Sequence, residues 1–296
     1  MSMNWYRFAY RNVLDKLRKM LANPDTLVFY WQTYVLSQFD RVEPDVYLVS
    51  YPKCGRTWQR IMLQHYLQFI GCELKHYNDK SLLSIVGGQN IKFEHDQSSW
   101  IPAPPPLDKL RFDKEKYGSK KIVFLVRDPR DALVSSWYHL KYRENIYRGS
   151  LSEFIHDDLI GVKKVVAFTN IWMENSDNPG GFHLMTYEDL HRDSAGTFVK
   201  MLEFMNLPVN MDAVAKAVEA SSFENMKKME SSGELREPWM KPGGKNDNAM
   251  KIRKGKIGGF KEEFTPEDVA FLDDYIGRSL TPLLPQYQRT QETVGS

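Results

Sequence analysis

The sequence predicts an α/β protein: a single domain in which helices flank a central parallel sheet. Three features of its 296 residues carry that expectation. Short apolar, β-branched runs stand at 46–51, Ile91–His95, Lys121–Val126 and Phe182–Tyr187, the pattern of strands buried on both faces. Apolar residues at helical spacing fill the intervals at about 56–70, 130–142, 163–175 and 188–205, and strands alternating with helices of that length read as parallel crossovers. No Ser/Gly linker, internal repeat or low-complexity block interrupts the chain, and a hydrophobic content of 42% suffices for one large core. The expected extent is therefore one domain over 1–296.

Taken in order, residues 1–40 read as a helical extension. Within it, 3–21 carries Tyr10, Leu14, Leu17 and Leu21 on one face, with Arg7, Arg11, Lys16, Arg18 and Lys19 as a basic complement. A helix docked on the domain has this pattern, and so does one lying on a membrane surface; docking is the simpler reading. The strand at 46–51 runs into a turn holding Pro52, Lys53 and Gly55, and then into a helix. The other strands end at His95, Arg127 and Tyr187. Ligands of parallel sheets collect at the carboxyl ends of the strands, so these four ends predict one site. Beyond Pro208, helices are expected at about 210–220 and 223–230. The stretch 231–252 is polar and rich in Gly, Pro and Lys, long enough for a lid. A last helix at 266–279 opens with Thr265 as cap, Pro266 at its first position and the early acids Glu267 and Asp268.

The net charge of +2 excludes a general nucleic-acid binder. Positive charge is nonetheless concentrated at 241–261, where Lys241, Lys245, Lys251, Arg253, Lys254, Lys256 and Lys261 outnumber Asp247; that suits a small anion. Cys54 and Cys72 are the two cysteines, no disulfide framework, which points to a reducing, cytoplasmic setting. The N-terminus lacks a secretory pattern, and the apolar segment Leu27–Phe39 is too short to span a bilayer. No carboxylate cluster or Cys/His spacing suggests a metal.

The most informative stretch is Tyr51-Pro52-Lys53-Cys54-Gly55-Arg56-Thr57-Trp58. A strand, a tight turn and a helix start aim backbone N–H groups at an anion, and Lys53 and Thr57 add a charge and a hydroxyl there. The common nucleotide loop G-x-x-x-x-G-K-[ST] is absent. The octet resembles the 5′-phosphosulfate loop of the sulfotransferases, a P-loop-like element written Y-P-K-[ST]-G-[TR]-T-W. That family moves a sulfuryl group from 3′-phosphoadenylyl sulfate (PAPS) to a hydroxyl or amine, leaving adenosine 3′,5′-bisphosphate (PAP). The resemblance assigns Lys53, Cys54, Gly55, Arg56, Thr57 and Trp58 to the donor, with Trp58 stacking on adenine and Lys53 offsetting charge on the leaving oxygen.

Further elements carry the same resemblance in order. Arg127 and Ser135, eight residues apart, resemble the family's 3′-phosphate pair. Arg253-Lys254-Gly255 resembles its R-K-G element, expected to close over that phosphate. Tyr187 in Tyr-Glu-Asp, and Ser221 and Phe223 in Ser-Ser-Phe-Glu-Asn-Met, match its remaining donor motifs. Of seven histidines (His65, His76, His95, His139, His156, His183, His191), His95 alone follows a strand expected to point at the site; it resembles the family's catalytic base. Departures are Cys54 in the loop, Phe93 where cytosolic members often carry a lysine, Gly259 and Phe260 beneath the lid, and a missing K-T-V-x-x-x-E dimer element. No dimer of that kind is expected.

The implied activity is sulfuryl transfer from PAPS with His95 as base and no metal. An ATP-dependent kinase and a non-catalytic nucleotide-binding scaffold are the alternatives. The acceptor pocket is expected from 72–110, 140–165 and 231–252. Trp100, the run Pro102–Pro106, Tyr142, Tyr147 and Phe154 suggest an apolar or aromatic entrance, suited to a hydrophobic alcohol, a phenol or a glycolipid; core packing is the equal alternative. A thiol at a helix N-terminus beside Lys53 is expected to be partly ionised, so that alkylation or oxidation of Cys54 blocks donor binding; a passive small residue is the alternative.

Overall fold

A computed structural model describes residues 42–75, 81–100, 104–232 and 247–288. The expected helix at 3–21 and most of the expected lid at 231–252 lie outside the described residues.

The chain enters the core at β1 (Val46–Ser50) and turns into α1 (Arg56–Phe69). Next come β2 (Leu74–Lys75), β3 (Leu82–Ile85) and β4 (Asn90–Glu94). β5 (Lys121–Val126) leads into α2 (Pro129–Tyr138), whose cap is the Asp128 carboxylate accepting from the Arg130 N–H at 2.9 Å. A five-residue π turn, His139–Arg143, continues α2. Then follow α3 (Leu151–His156), α4 (Val162–Glu174), β6 (Gly181–Thr186), α5 (Tyr187–Arg192) and α6 (Ser194–Phe204). The described chain closes with α7 (Met211–Ala220), α8 (Phe223–Ser232), α9 (Pro266–Ser279) and α10 (Pro285–Gln288).

The strands form one sheet in the order β2-β3-β4-β1-β5-β6. β4, β1, β5 and β6 are parallel, as expected, but β2 and β3 join antiparallel at the edge. The sheet is thus mixed, a correction to the all-parallel expectation. β2 is too short and β3 too uniform in character to stand out as patterned runs. The expected helix at 188–205 is broken at Asp193, whose carboxylate turns back to cap α6 by accepting from the Gly196 N–H at 2.8 Å. Register matters most for function. Val46 pairs with both Ile91 and Lys121, and Lys121 pairs with Gly181. The carboxyl ends of all four parallel strands therefore open at one edge.

One apolar core runs from Val46 to Tyr287 on both faces of the sheet. Phe124 stacks on Trp172 with centroids 5.6 Å apart, and Tyr66 meets Phe198 edge-on at 5.4 Å. Beneath β4 lies a buried polar knot: Asp96 takes Lys114 at 2.7 Å and the Tyr117 hydroxyl at 2.9 Å. Asp96 and Gln97 both have positive φ (38° and 68°), so this knot holds the sharp turn that carries His95. Among the described residues, no helix is long and apolar enough to cross a membrane.

Candidate active site

The loop after β1 is wound through left-handed backbone at Lys53 (φ 70°) and Gly55 (φ 102°). Glycine is required at 55 twice over, since a Cβ there would sit 2.7 Å from the Tyr187 ring. α1 starts at Arg56 with no side-chain cap and no acid in its first turn, leaving its first N–H groups available to an anion. Lys53 points into the cavity, its ammonium 3.5 Å from the Lys251 carbonyl. Burial, reinforced by Arg143, lowers its pKa to about 8.

His95 stands at the end of β4, across from the loop. Its Nδ1 faces the Ser50 carbonyl at 2.8 Å, and its Nε2 faces Arg56 Nη2 at 2.6 Å. A carbonyl only accepts and a guanidinium only donates, so Nδ1 carries the proton and Nε2 presents a lone pair. Burial, then the Arg56 charge, holds the imidazole well below the ordinary histidine range. His95 is thus a neutral imidazole on the cavity wall.

A second group of cations gathers at the ends of β5 and β6. Arg127 donates to the carbonyls of Lys53 (3.3 Å) and Lys256 (3.0 Å), and its guanidinium lies 4.1 Å above the Tyr187 ring. Ser135, two turns into α2, lines the same wall. Asp131 accepts from the N–H groups of Gly258 (2.8 Å) and Phe260 (3.0 Å), fastening the segment that carries Arg253, Lys254 and Gly255 over the cavity. Arg253 lies 3.7 Å above the Tyr138 ring and pairs with Glu263 at 3.2 Å. Lys254 reaches the same carboxylate at 2.8 Å. Gly255 has φ 61°, and a Cβ would fall 2.5 Å from the Phe223 ring. Phe260, one of the departures noted above, is buried against the Arg130 guanidinium at 4.9 Å. Arg130 itself is scaffolding, bound to Asp128, Asp273 and the Tyr287 carbonyl.

These residues enclose a cavity of about 500 Å³. Of the residues singled out from sequence, Lys53, Gly55, Arg56, Thr57, Trp58, His95, Arg127, Ser135, Tyr187, Phe223, Arg253, Lys254 and Gly255 all line it. Trp58, Tyr187 and His191 make an aromatic corner, with Trp58 edge-on to Tyr187 at 5.9 Å. Two expected residues lie outside the lining. Ser221 is fully buried, its hydroxyl turned back to the Ala217 carbonyl at 2.7 Å; Ser222, one residue on, faces the cavity instead. Cys54 is buried with its Sγ 4.0 Å from the Pro52 carbonyl, and burial pushes its thiol up to about 12. The expectation of a partly ionised Cys54 is therefore wrong: desolvation outweighs the helix N-terminus and Arg127. The residues offered for an aromatic entrance divide between the two readings. Trp100 lines the cavity, but Phe154 is core, with Tyr147 packed edge-on against it at 5.1 Å, and Tyr142 stacks on Tyr138.

Sequence reasoning missed His139 and Lys251, which also line the cavity. His139 stands four residues after Ser135 on the same helical face, and that spacing was the available signal. Lys251 is one of many lysines in a basic run, with nothing local to distinguish it. Among the described residues, no group of His, Cys, Asp and Glu is placed to hold a metal ion.

Residues 43–284 match the sequence model of the sulfotransferase domain. Cytosolic sulfotransferase 15 of Arabidopsis thaliana is 27% identical over 276 residues, covering 81% of this chain and 74% of the relative. An amine sulfotransferase of Oryctolagus cuniculus is 24% identical over 271 residues, covering 86% and 88%. Among solved structures, a mouse sulfotransferase complexed with PAP superposes with a TM-score of 0.57 at 20% identity, covering 81% of this chain and 85% of that one. Retinol dehydratase in complex with androsterone and PAP gives 0.59 at 18%, covering 80% and 81%. The fold, the loop after β1 and the family match agree: this chain belongs to the PAPS-dependent sulfotransferases, the family whose domain its residues 43–284 match.

Proposed function

We propose that the chain transfers the sulfuryl group of PAPS in line to a hydroxyl, or an amine, of a small-molecule acceptor, with His95 as general base. The observation that carries this is His95 on the wall of the same cavity as Lys53 and Arg127, its Nδ1–H given to the Ser50 carbonyl so that Nε2, now facing Arg56, is the acceptor nitrogen. The residues present fit the donor. Trp58 Nε1 and Arg127 Nε are buried without hydrogen-bond partners, polar atoms that a nucleotide would satisfy. Gly55 and Gly255 keep the approach to the cavity open where a Cβ would collide.

PAPS supplies the sulfuryl group and a leaving phosphate. The first N–H groups of α1, with Lys53 and Thr57, hold the 5′ end; Arg127, Ser135, Arg253 and Lys254 hold the 3′-phosphate. Trp58, Tyr187 and Phe223 receive the adenine. His95 Nε2 takes the acceptor proton once the acceptor hydroxyl replaces Arg56 as its partner. The Lys53 ammonium offsets charge on the departing oxygen. A small-molecule acceptor is supported by androsterone in the retinol dehydratase complex, and a cytosolic setting by the naming of the Arabidopsis relative. We read the chain as one domain because its sheet and helices share one core from Val46 to Tyr287.

The deciding experiment compares thermal unfolding with PAP and with ADP plus Mg²⁺. PAP at about 100 times its dissociation constant should add roughly 2.7 kcal/mol of stability. A response to ADP and Mg²⁺ alone would overturn the proposal.

A further inference from the structure

At the His95 end of the cavity, opposite the end built from Arg127 and the 253–260 segment, the nitrogen assigned to the acceptor's proton is already engaged. His95 gives its Nδ1–H to the Ser50 carbonyl at 2.8 Å, and Arg56 Nη2 stands 2.6 Å from its Nε2. Both side chains line the cavity. A guanidinium only donates, so Arg56 consumes the lone pair on which general-base catalysis depends. In this arrangement the base is closed.

The contact leaves Arg56 incompletely satisfied. Its Nη1 is buried without a hydrogen-bond partner. The group that Nη2 does reach is a neutral imidazole, held uncharged by burial and by Arg56 itself. Bonds from arginine to anionic oxygens are shorter than bonds to a neutral acceptor, and roughly twice as strong. An anion arriving within reach should therefore draw the guanidinium away.

The reaction brings one there. Arg56 is the first residue of α1, directly after Gly55, so its side chain is rooted at the helix start that receives the donor's phosphosulfate. In-line transfer sets the reacting hydroxyl against His95 Nε2, with the sulfur about 3–3.5 Å beyond it. Arg56 Nη2 holds the hydroxyl's place, one contact away from the incoming sulfuryl oxygens.

Resting on the sulfotransferase reading above, we infer that Arg56 is a positioning residue that couples the base to the donor. The sulfuryl group of PAPS takes the guanidinium off His95, and Nε2 becomes available only when there is a group to transfer. PAP, which has no sulfuryl group, leaves the contact closed. The donor therefore binds before an acceptor can be deprotonated.

The test follows the His95 ring nitrogens by NMR in enzyme carrying isotopically labelled histidine, with the signal assigned by its loss in His95→Asn. PAPS and PAP are titrated separately. An acceptor nitrogen that loses its donor resonates downfield, so PAPS should move the Nε2 signal downfield and PAP should not. No movement with PAPS overturns the inference, and so does an equal movement with PAP. Arg56→Met gives a second reading. Its Nε2 should already stand downfield without ligand. Its dissociation constant for PAPS should rise roughly five- to tenfold, the difference between a guanidinium bond to an anion and one to a neutral ring, with that for PAP unchanged. Equal loss of affinity for PAPS and PAP would make Arg56 a structural support and overturn the coupling. Failure of the sulfotransferase reading would show separately, as no stabilisation by PAP.

Discussion

The two ends of the cavity are built on different terms. At the Arg127 end the cations rest on protein partners. Arg127 bridges two carbonyls, Arg253 and Lys254 share Glu263, and Asp131 ties the covering segment down through two N–H groups. That end keeps its shape without a ligand, the preorganisation that tight recognition of a fixed phosphate needs. At the His95 end, Arg56 leans on the base itself, Lys53 on a distant carbonyl, and Arg56 Nη1 and His139 Nδ1 on nothing. Its groups are completed by whatever binds. On the proposed reading, the difference teaches that the first end recognises and the second reacts.

The comparison breaks most visibly at His95. His95→Asn should cut the rate by about 10²–10⁴-fold, the usual worth of a general base, while stabilisation by PAP persists. Sulfated product and PAP-induced thermal shift, measured on the same variant, check this. Loss of both together would mean the ends are not separable. Arg127→Ala should do the opposite. Removing a charge-assisted donor from a buried phosphate site costs about 2–3 kcal/mol, read as a weaker PAP dissociation constant. Arg127→Lys should recover little, because one ammonium cannot reproduce the guanidinium fork.

This difference also governed what could be read from sequence. The Arg127 end is written in short contiguous motifs at strand ends, where continuous apolar runs fix the strand and the next residues reach the cavity; Arg127 and Tyr187, with the loop that serves both ends, stand where those runs stop. The His95 end depends on residues distant in sequence. Lys251 is set into the wall by Glu230 on α8, and His139 opens a π turn that helical periodicity alone does not foretell. Ser221, expected at the site, turns its hydroxyl back into its own helix, and Ser222, one residue on, faces the cavity. Cys54 failed for a sharper reason. Its position beside Lys53 was legible, but the inward direction of its thiol was not, and direction decides between ionisation and burial.

A smaller effect sharpens the view of the preformed end. Asp131→Asn replaces an acceptor oxygen by an amide and forfeits one of the bonds to Gly258 and Phe260. The covering segment should open more often, with PAP affinity falling about tenfold, roughly the worth of one hydrogen bond to a charged group. Hydrogen exchange at Gly258 and Phe260 should quicken in step. Unchanged exchange with weakened PAP binding would instead assign Asp131 to the field around Arg127.

The smallest expected effect concerns pH and belongs to the reactive end. His139 is pushed well below the ordinary histidine range by burial, with Lys53 and Lys251 next, and His95 is lowered by burial and Arg56. In the unfolded chain both should titrate near about 6.5. Above that pH their neutral forms fold at no penalty, so their contribution is fully present. As pH falls below it, the unfolded chain takes up protons that the folded cavity refuses, and stability drops by at most about 1.4 kcal/mol per pH unit for each histidine. His139→Asn removes one such group. Between pH 7.5 and 5.5 its urea midpoint should therefore fall less than that of the wild type. If the two midpoints fall in parallel, His139 accepts a proton within the folded cavity, and the region beside His95 is better hydrated and less cationic than its unpartnered nitrogens indicate.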